Sequence, residues 1–428
     1  MIGARRAAAV TALAGLIAVG CSTSVPQATP GLAVSRTVSP RAGSVSSAPA
    51  PARVTAAVPV DIVHAPWTRE IQQAVDGRNV SVAVGVGDRI VFALAGTTLR
   101  LPASNEKLLT SMAALAAFGL DHRFPTVAGA SVRPHDGVLS GDLWLVGSGD
   151  PELTDAGLAT LASRLAAGGL RAIRGSVVGD TSAFDRGWWA PGWLPVISRE
   201  FVTRPTALAL DGNLLDGSPE RAAAASLTRS LRRDGVQVGG GAGSGAAPSD
   251  LKTLALVRSA PLRDILERQN HGSINFDAEM ITKALGAERS GPPGSTASGA
   301  NAIERWVTAQ GVHAEVRDGS GLSHDDRIST IGIVTLLLEA ERRAWGGVLW
   351  ASLPAPGEGT LAGRLAGVPV RAKTGTLFVT PASALSGYVR SHDGRRVAFS
   401  VISRGLDKAT AVGIEDAVAR ILAGADLR

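Results

Sequence analysis

Three short groupings in this sequence carry the residue types that acyl transfer requires: Ser104-Asn105-Glu106-Lys107, Ser273-Ile274-Asn275 and Lys373-Thr374-Gly375. A serine hydroxyl is a weak nucleophile until a neighbour takes its proton, and a lysine takes it only in its neutral form. Residues i and i+3 share one face of a helix, so the Lys107 nitrogen can reach the Ser104 oxygen. In the first helical turn, Ser104 would also have unpaired backbone N–H groups and the positive dipole end beside it, which favours an oxyanion there. A free lysine has a pKa of ~10.4, so Lys107 must be depressed; burial and a second cation both do this, and Lys373 is the natural second cation. A fall of ~3 units corresponds to ~4 kcal/mol of lost preference for the charged form.

The third grouping lies where a strand pattern, Val368 to Leu377, meets a glycine. Gly375 allows close backbone approach, and the Thr376 N–H can pair with that of Ser104 as an oxyanion hole. Lys373, Thr374 and Thr376 would then face a substrate carboxylate. Ser273 could relay a proton to a leaving amine, and Asn275 could hold both Lys107 and a substrate amide. Each grouping alone has a plainer reading: a helix start with an incidental lysine, an N-terminal serine cap, an exposed strand end. Their joint order argues against three separate accidents. A second serine-lysine spacing, Ser249 to Lys252, follows a glycine run and opens no amphipathic helix.

Only five lysines occur, Lys107, Lys252, Lys283, Lys373 and Lys408; every other basic residue is arginine. Arginine stays protonated and cannot serve as a general base, so lysine-dependent chemistry must draw on these five. The net charge of +6 is spread along the chain without a long basic run. With no zinc-finger spacing and no aromatic-rich recognition pattern, a nucleic-acid partner is not expected. No metal site or cofactor motif is visible either.

The elements that must position these groups read as follows. A short helix over residues 68–75 precedes a hairpin, Val80 to Val86 and Ile90 to Leu94, turning at Gly87-Asp88. Pro102-Ala103-Ser104-Asn105 then opens a helix with Leu108, Met112 and Leu115 at i, i+4 and i+7, ending near Gly119. From about Phe124 to Arg258 short apolar strands alternate with glycine: Val138 to Val146, Ile173 to Val178, and Leu208 to Leu215 around Asp211-Gly212-Asn213. The run Gly239 to Gly245 reads as a floppy loop. Helical periodicity returns in Pro261 to Arg268, Phe276 to Leu285 and Ile303 to Gln310. Strands at Val368 to Lys373, Ala384 to Val389 and Val397 to Ser403 lead to a helix over Gly413 to Leu422.

The amino-terminal 20 residues run from Arg5 and Arg6 through an apolar stretch to Gly20, the order of a secretory signal and too short to span a membrane. Leu16 to Cys21 looks like a bacterial lipobox, with Ala18 in place of the usual leucine and the sole cysteine, Cys21, as the residue to be lipidated. An ordinary signal peptide is the alternative. Residues 22–60, rich in Pro, Ser and Ala, read as a disordered linker that would let a tethered domain sweep a shell of cell wall.

The three groupings match, in order, the motifs of penicillin-binding proteins and serine β-lactamases. Beyond them, the chain resembles the D-alanyl-D-alanine carboxypeptidase/endopeptidase family of the penicillin-binding protein 4 type, also called class C low-molecular-weight penicillin-binding proteins. The likeness rests on residues 102–109, Val146-Gly147-Ser148-Gly149-Asp150-Pro151, Asp318-Gly319-Ser320-Gly321-Leu322-Ser323, Gly359-Thr360-Leu361 and residues 372–377, and covers most of 61–428. It implies an α/β fold, a transpeptidase-like α/β/α sandwich with an antiparallel sheet, interrupted by inserted β-rich domains. The corresponding division is residues 1–21 as signal, 22–60 as linker, 61–125 with 259–428 as the catalytic domain, and 126–258 as the insertion. It also implies catalytic Ser104, Lys107, Ser273, Asn275 and Lys373, with Thr374, Gly375 and Thr376 binding substrate. The implied partners are peptidoglycan stem peptides ending in D-Ala-D-Ala, β-lactam antibiotics, and a membrane reached through a lipid anchor on the outer face of the cytoplasmic membrane, or no anchor in a secreted or periplasmic form.

Ile274 stands where that family often has aspartate or asparagine. A class A β-lactamase would need a glutamate four residues before an asparagine beyond the second motif; the only later asparagine is Asn301, and residue 297 is alanine. No GxSxG elbow supports a Ser-His-Asp hydrolase. A non-catalytic wall-binding protein of the same fold would be marked by loss of a motif residue, and none is lost.

Overall fold

The structure, a computed structural model, describes residues 59–214 and 217–427. Cys21, the signal and nearly all of the linker lie outside the described residues. A five-stranded antiparallel sheet runs in the order Val370–Leu377, Ala382–Arg390, Arg396–Arg404, Val80–Val86, Arg89–Leu94. Strands Val80–Val86, Arg89–Leu94 and Arg396–Arg404 are rich in valine and isoleucine, and the sheet carries apolar residues on both faces, as a sheet covered on both sides requires. Alternation divides them: Val80, Val82 and Val84 join one core with Ile71, Ile414, Val418 and Leu422, while Ala83 joins the other with Leu108, Leu109 and Leu336. Helices Pro66–Val75 and Lys408–Gly424 therefore cover one face. Helices Glu106–Phe118, Leu262–Gly272, Asn275–Ser290, Thr296–Ala309 and Thr330–Glu341 cover the other. The result is the α/β/α sandwich with an antiparallel sheet.

Between its first and later helices the chain builds a second five-stranded sheet, ordered Lys252–Arg258, Pro125–Ala130, Leu143–Gly147, Val177–Asp180, Ala242–Ser244. Its first three strands pair antiparallel and its last three parallel. This sheet has a core of its own, drawn wholly from residues 128–257. Helices Asp155–Ala167 and Pro219–Arg233 complete that core, a helical contribution that the glycine-broken pattern concealed.

Several local readings change. Val138 to Val146 is not one strand but two, Val138–Leu139 and Leu143–Gly147, and Ile173 to Val178 divides into Ala172–Ile173 and Val177–Asp180, the members of each pair lying in different sheets. The stretch around Asp211-Gly212-Asn213 is a short 3-10 turn with left-handed backbone at all three residues, so it cannot continue a strand. Asn213 secures it, accepting from the Leu210 N–H at 3.0 Å and donating to the Arg204 carbonyl at 2.8 Å. The glycine run is not a loose loop: Ala242–Ser244 is a strand paired with residues 177–179. Its glycines permit close packing, since a Cβ on Gly239 would sit 2.7 Å from the Arg174 carbonyl oxygen.

Among the described residues no helix is long and apolar enough to cross a membrane. The helix that follows Ser104 is the structural centre of its layer: Leu108, Leu109, Met112 and Leu115 are all fully buried. Leu108→Ala should cost about 2–5 kcal/mol of stability in a denaturant titration, the usual penalty for a buried leucine cavity. A change under ~1 kcal/mol would mean this helix is not packed as described.

Candidate active site

Ala103–Asn105 forms a single 3-10 turn that runs directly into helix Glu106–Phe118, so Ser104 sits just ahead of the helix start instead of inside its first turn. Ala103 is held at φ 48°, a strained value for a residue with a Cβ, and Gly321 packs so closely against its carbonyl that any side chain there would overlap it. Within residues 101–110 only Ser104 is not buried. The chain thus spends strain to present one hydroxyl.

Lys107 Nζ lies 3.1 Å from Ser104 Oγ, 2.7 Å from Asn275 Oδ1 and 2.6 Å from the Ser320 carbonyl oxygen. A neutral amine has two N–H donors and one lone pair. Asn275 Oδ1 and the Ser320 carbonyl can only accept, so they engage both donors and leave the lone pair for the Ser104 hydroxyl hydrogen. The Asn275 amide orientation is set independently, because its Nδ2 donates to the Phe201 carbonyl at 3.1 Å.

The Ser320 carbonyl is itself aimed by buried acids. Glu279 Oε1 accepts from the Gly319 and Ser320 N–H groups at 3.0 and 2.9 Å. Asp318 accepts from Gly321 N at 2.7 Å, Ser323 N at 2.9 Å and the Trp193 indole N–H at 2.7 Å. Burial pushes the Glu279 carboxyl up to about 8. Residues 318–323 carry part of the family likeness in the sequence, but their contribution here comes from the Ser320 backbone carbonyl, which no side chain signals.

Burial also brings Lys107 down to about 8, against the opposing pull of Asp318, Glu279, Glu106 and Asp277. Lys373 is held well below the ordinary lysine range, first by burial and then by the charge of Lys107. The expected pairing of two lysines is present, and for both of them burial is the leading cause of the depression.

Ser273 and Lys373 form the second half of the site. Lys373 Nζ donates to Ser273 Oγ and to the Thr374 carbonyl, each at 2.8 Å. Ser273 does not cap the start of helix Asn275–Ser290; it is the left-handed C-cap of helix Leu262–Gly272, with its N–H on the Gln269 carbonyl. That frees its hydroxyl hydrogen for a group in the site. Val370–Leu377 is an edge strand, and its Ala372 N–H turns away from the sheet to the Pro354 carbonyl. Strand N–H groups alternate, so those of Thr374 and Thr376 also point off the free edge. A Cβ on Gly375 would sit 2.9 Å from the Pro102 carbonyl oxygen, which explains a glycine beside the Ser104 turn. Thr374 Oγ1 pairs with Thr360 Oγ1 at 2.8 Å, and Thr376 Oγ1 accepts from Lys408 Nζ at 2.7 Å.

The structure thus brings Ser104, Lys107 and Asn275 into one cluster and Ser273 and Lys373 into an adjoining one. Of the other lysines, Lys252 is exposed and Lys283 is buried against Asp185 at 2.7 Å. Among the described residues no group of His, Cys, Asp and Glu is arranged to hold a metal ion.

The sequence pattern of the D-Ala-D-Ala carboxypeptidase 3 (S13) family matches residues 68–223 and 216–425. The chain belongs to that family. Relatives of this S13 member include the D-alanyl-D-alanine carboxypeptidase of Actinomadura sp. strain R39, 31% identical over 80% of each chain. Carboxypeptidase DacB of Mycolicibacterium smegmatis is 31% identical over 87% of this chain and 89% of its own. The fold matches penicillin binding protein 4 of Haemophilus influenzae with a TM-score of 0.73 at 22% identity, covering 84% of this chain and 100% of that one.

If Lys107 is the base in this S13 site, reaction of Ser104 with an acylating reagent follows the neutral amine. The rate should be low below pH ~8, rise through it and level off above, because the depressed lysine loses its proton there. Mass spectrometry of the Ser104 adduct across pH 6–10 checks this, and a flat profile would contradict it. Lys107→Arg should keep the fold and lose about 10²–10⁴-fold in rate.

Proposed function

We propose that this protein is a serine D-alanyl-D-alanine carboxypeptidase that trims peptidoglycan stem peptides through an acyl-enzyme on Ser104, and that penicillin traps this ester. The observation that carries the reading is the Lys107 amine, fixed by two acceptors with its third position on the Ser104 oxygen. The S13 family and the carboxypeptidase relatives support the substrate class.

In the proposed reaction Ser104 Oγ attacks the carbonyl carbon of the penultimate D-alanine while its proton passes to Lys107. The oxyanion forms between the Ser104 and Thr376 N–H groups. The C–N bond then breaks; the departing amine takes the Ser273 hydroxyl proton, and Lys373, bonded to that oxygen, resupplies it. Terminal D-alanine leaves; water then attacks the ester, its proton passing through Ser273 to Lys373, while Lys107 returns its proton to Ser104 Oγ as the shortened peptide departs. The same site would accept a cross-linking amide, which makes endopeptidase action a second use of it.

The proposal includes an envelope location with residues 22–60 tethering the catalytic part, lipid-anchored through Cys21, and a catalytic domain of residues 61–125 and 259–428 carrying an insertion of residues 126–258. The separate core of residues 128–257 supports that division.

Penicillin should add its mass to the peptide containing Ser104 and to no other, and Ser104→Ala should abolish the adduct. A peptide ending in D-Ala-D-Ala should release free D-alanine. Labelling of another serine would sink the assignment, and rapid repeated hydrolysis of a chromogenic cephalosporin would point to a β-lactamase instead.

A further inference from the structure

Lys408 is the remaining lysine, and its position is locally unfavourable. It is the first residue of helix Lys408–Gly424, after the Asp407 cap, where a cation meets the positive end of the helix dipole. The residue is exposed, yet its side chain is held against the sheet. It reaches back across the sheet edge, donating to Thr376 Oγ1 at 2.7 Å and to Ser383 Oγ at 2.8 Å.

An ammonium can only donate, so the direction of the whole chain of bonds is set. On the inner side Ser383 accepts from Lys408 and donates to Glu415 Oε1 at 2.6 Å, and Glu415 is in turn paired with Arg364 at 2.8 Å. That arm is closed. On the outer side Thr376 Oγ1 accepts from Lys408, which leaves the Thr376 hydroxyl hydrogen unspent; among the described residues no acceptor takes it. Lys408 itself makes no ion pair within 4 Å among the described residues, its ammonium being held by two hydroxyls. Thr374, two residues along the same edge, has instead settled its hydroxyl on Thr360. The open end of a cation-backed donor chain therefore lies on the strand edge where the substrate would bind.

We propose that Lys408 is a positioning residue that confers preference for a free C-terminal carboxylate, by fixing Thr376 with its hydroxyl hydrogen directed at that carboxylate. The inference rests on the carboxypeptidase reading of the site. A carboxypeptidase has to distinguish a chain end from an internal residue, and the group that differs is the terminal carboxylate. A hydroxyl polarised by a cation behind it rewards an anion and gains little from an amide or ester. The position forfeits helix stability, and an anion-selective contact is what it supplies in return.

The test compares acylation of Ser104 by benzylpenicillin with acylation by its methyl ester, in the wild type, Lys408→Met and Lys408→Arg. The wild type should react faster with the acid. Lys408→Met should lose at least about tenfold on the acid through a weaker apparent affinity, with the ester changed by less than about twofold. Lys408→Arg, which keeps charge and donors, should recover most of the loss. Removing a cation from the helix start should leave the melting temperature of Lys408→Met unchanged or slightly raised. An acid-to-ester ratio unchanged in Lys408→Met, whether both rates hold or both fall together, overturns the role of Lys408 alone. A wild type acylated by neither form overturns the carboxypeptidase reading and this inference with it.

Discussion

Two lysines buried from solvent in one site cannot both hold protons comfortably, and the sandwich around them is organised by that constraint. Lys107 and Lys373 are fully buried within one site, and each is depressed by desolvation before any other cause. Neither is paired with a carboxylate that would restore its charge at close range. Lys107 instead sees two carbonyl-type acceptors and one hydroxyl, a shell suited to a neutral amine. Lys373 sees a hydroxyl and a carbonyl. In the proposed reaction, a proton taken from Ser104 by one lysine and a proton given to a leaving group beside the other are complementary moves in the same small volume.

Holding that arrangement requires rigid supports from four directions. The nucleophile turn is pressed against an edge strand through Gly375 and against the loop of residues 318–323 through Gly321, both places where a side chain would not fit. Glu279 and Asp318 grip that loop by its backbone N–H groups, so the Ser320 carbonyl cannot swing away from Lys107. Ser273 is fixed by closing one helix and Asn275 by opening the next. The indole of Trp193, from the stretch between the two parts of the sandwich, donates to Asp318 and so ties that stretch to the floor of the site.

Much of this was legible in the sequence, because the chemistry needs side chains at short fixed spacings and lysine is scarce enough to expose them. The i, i+3 pair, the strand-borne Lys373 and the glycine beside it could each be read from local pattern. What stayed hidden was non-local or carried by backbone. The Ser320 carbonyl has no residue signature of its own. Helix Thr330–Glu341 is buried along nearly its whole length and opens on a run of β-branched residues, so neither periodicity nor propensity marks it. Lys408 could be counted but not placed, since its partner Thr376 lies 32 positions away and meets it only through the fold. The depression of Lys107 and Lys373 is likewise a matter of burial, which spacing cannot report.

The scarcity of lysine also permits the most direct test of the central claim. With five lysines in the chain, protein labelled with ¹³C at lysine Cε gives five resonances, each assignable by substitution. In a pH titration the resonance lost in Lys107→Met should titrate near 8, well below the ordinary lysine range. If that resonance titrates near the free-lysine value of ~10.4, Lys107 is charged at working pH and the account of Ser104 activation is wrong.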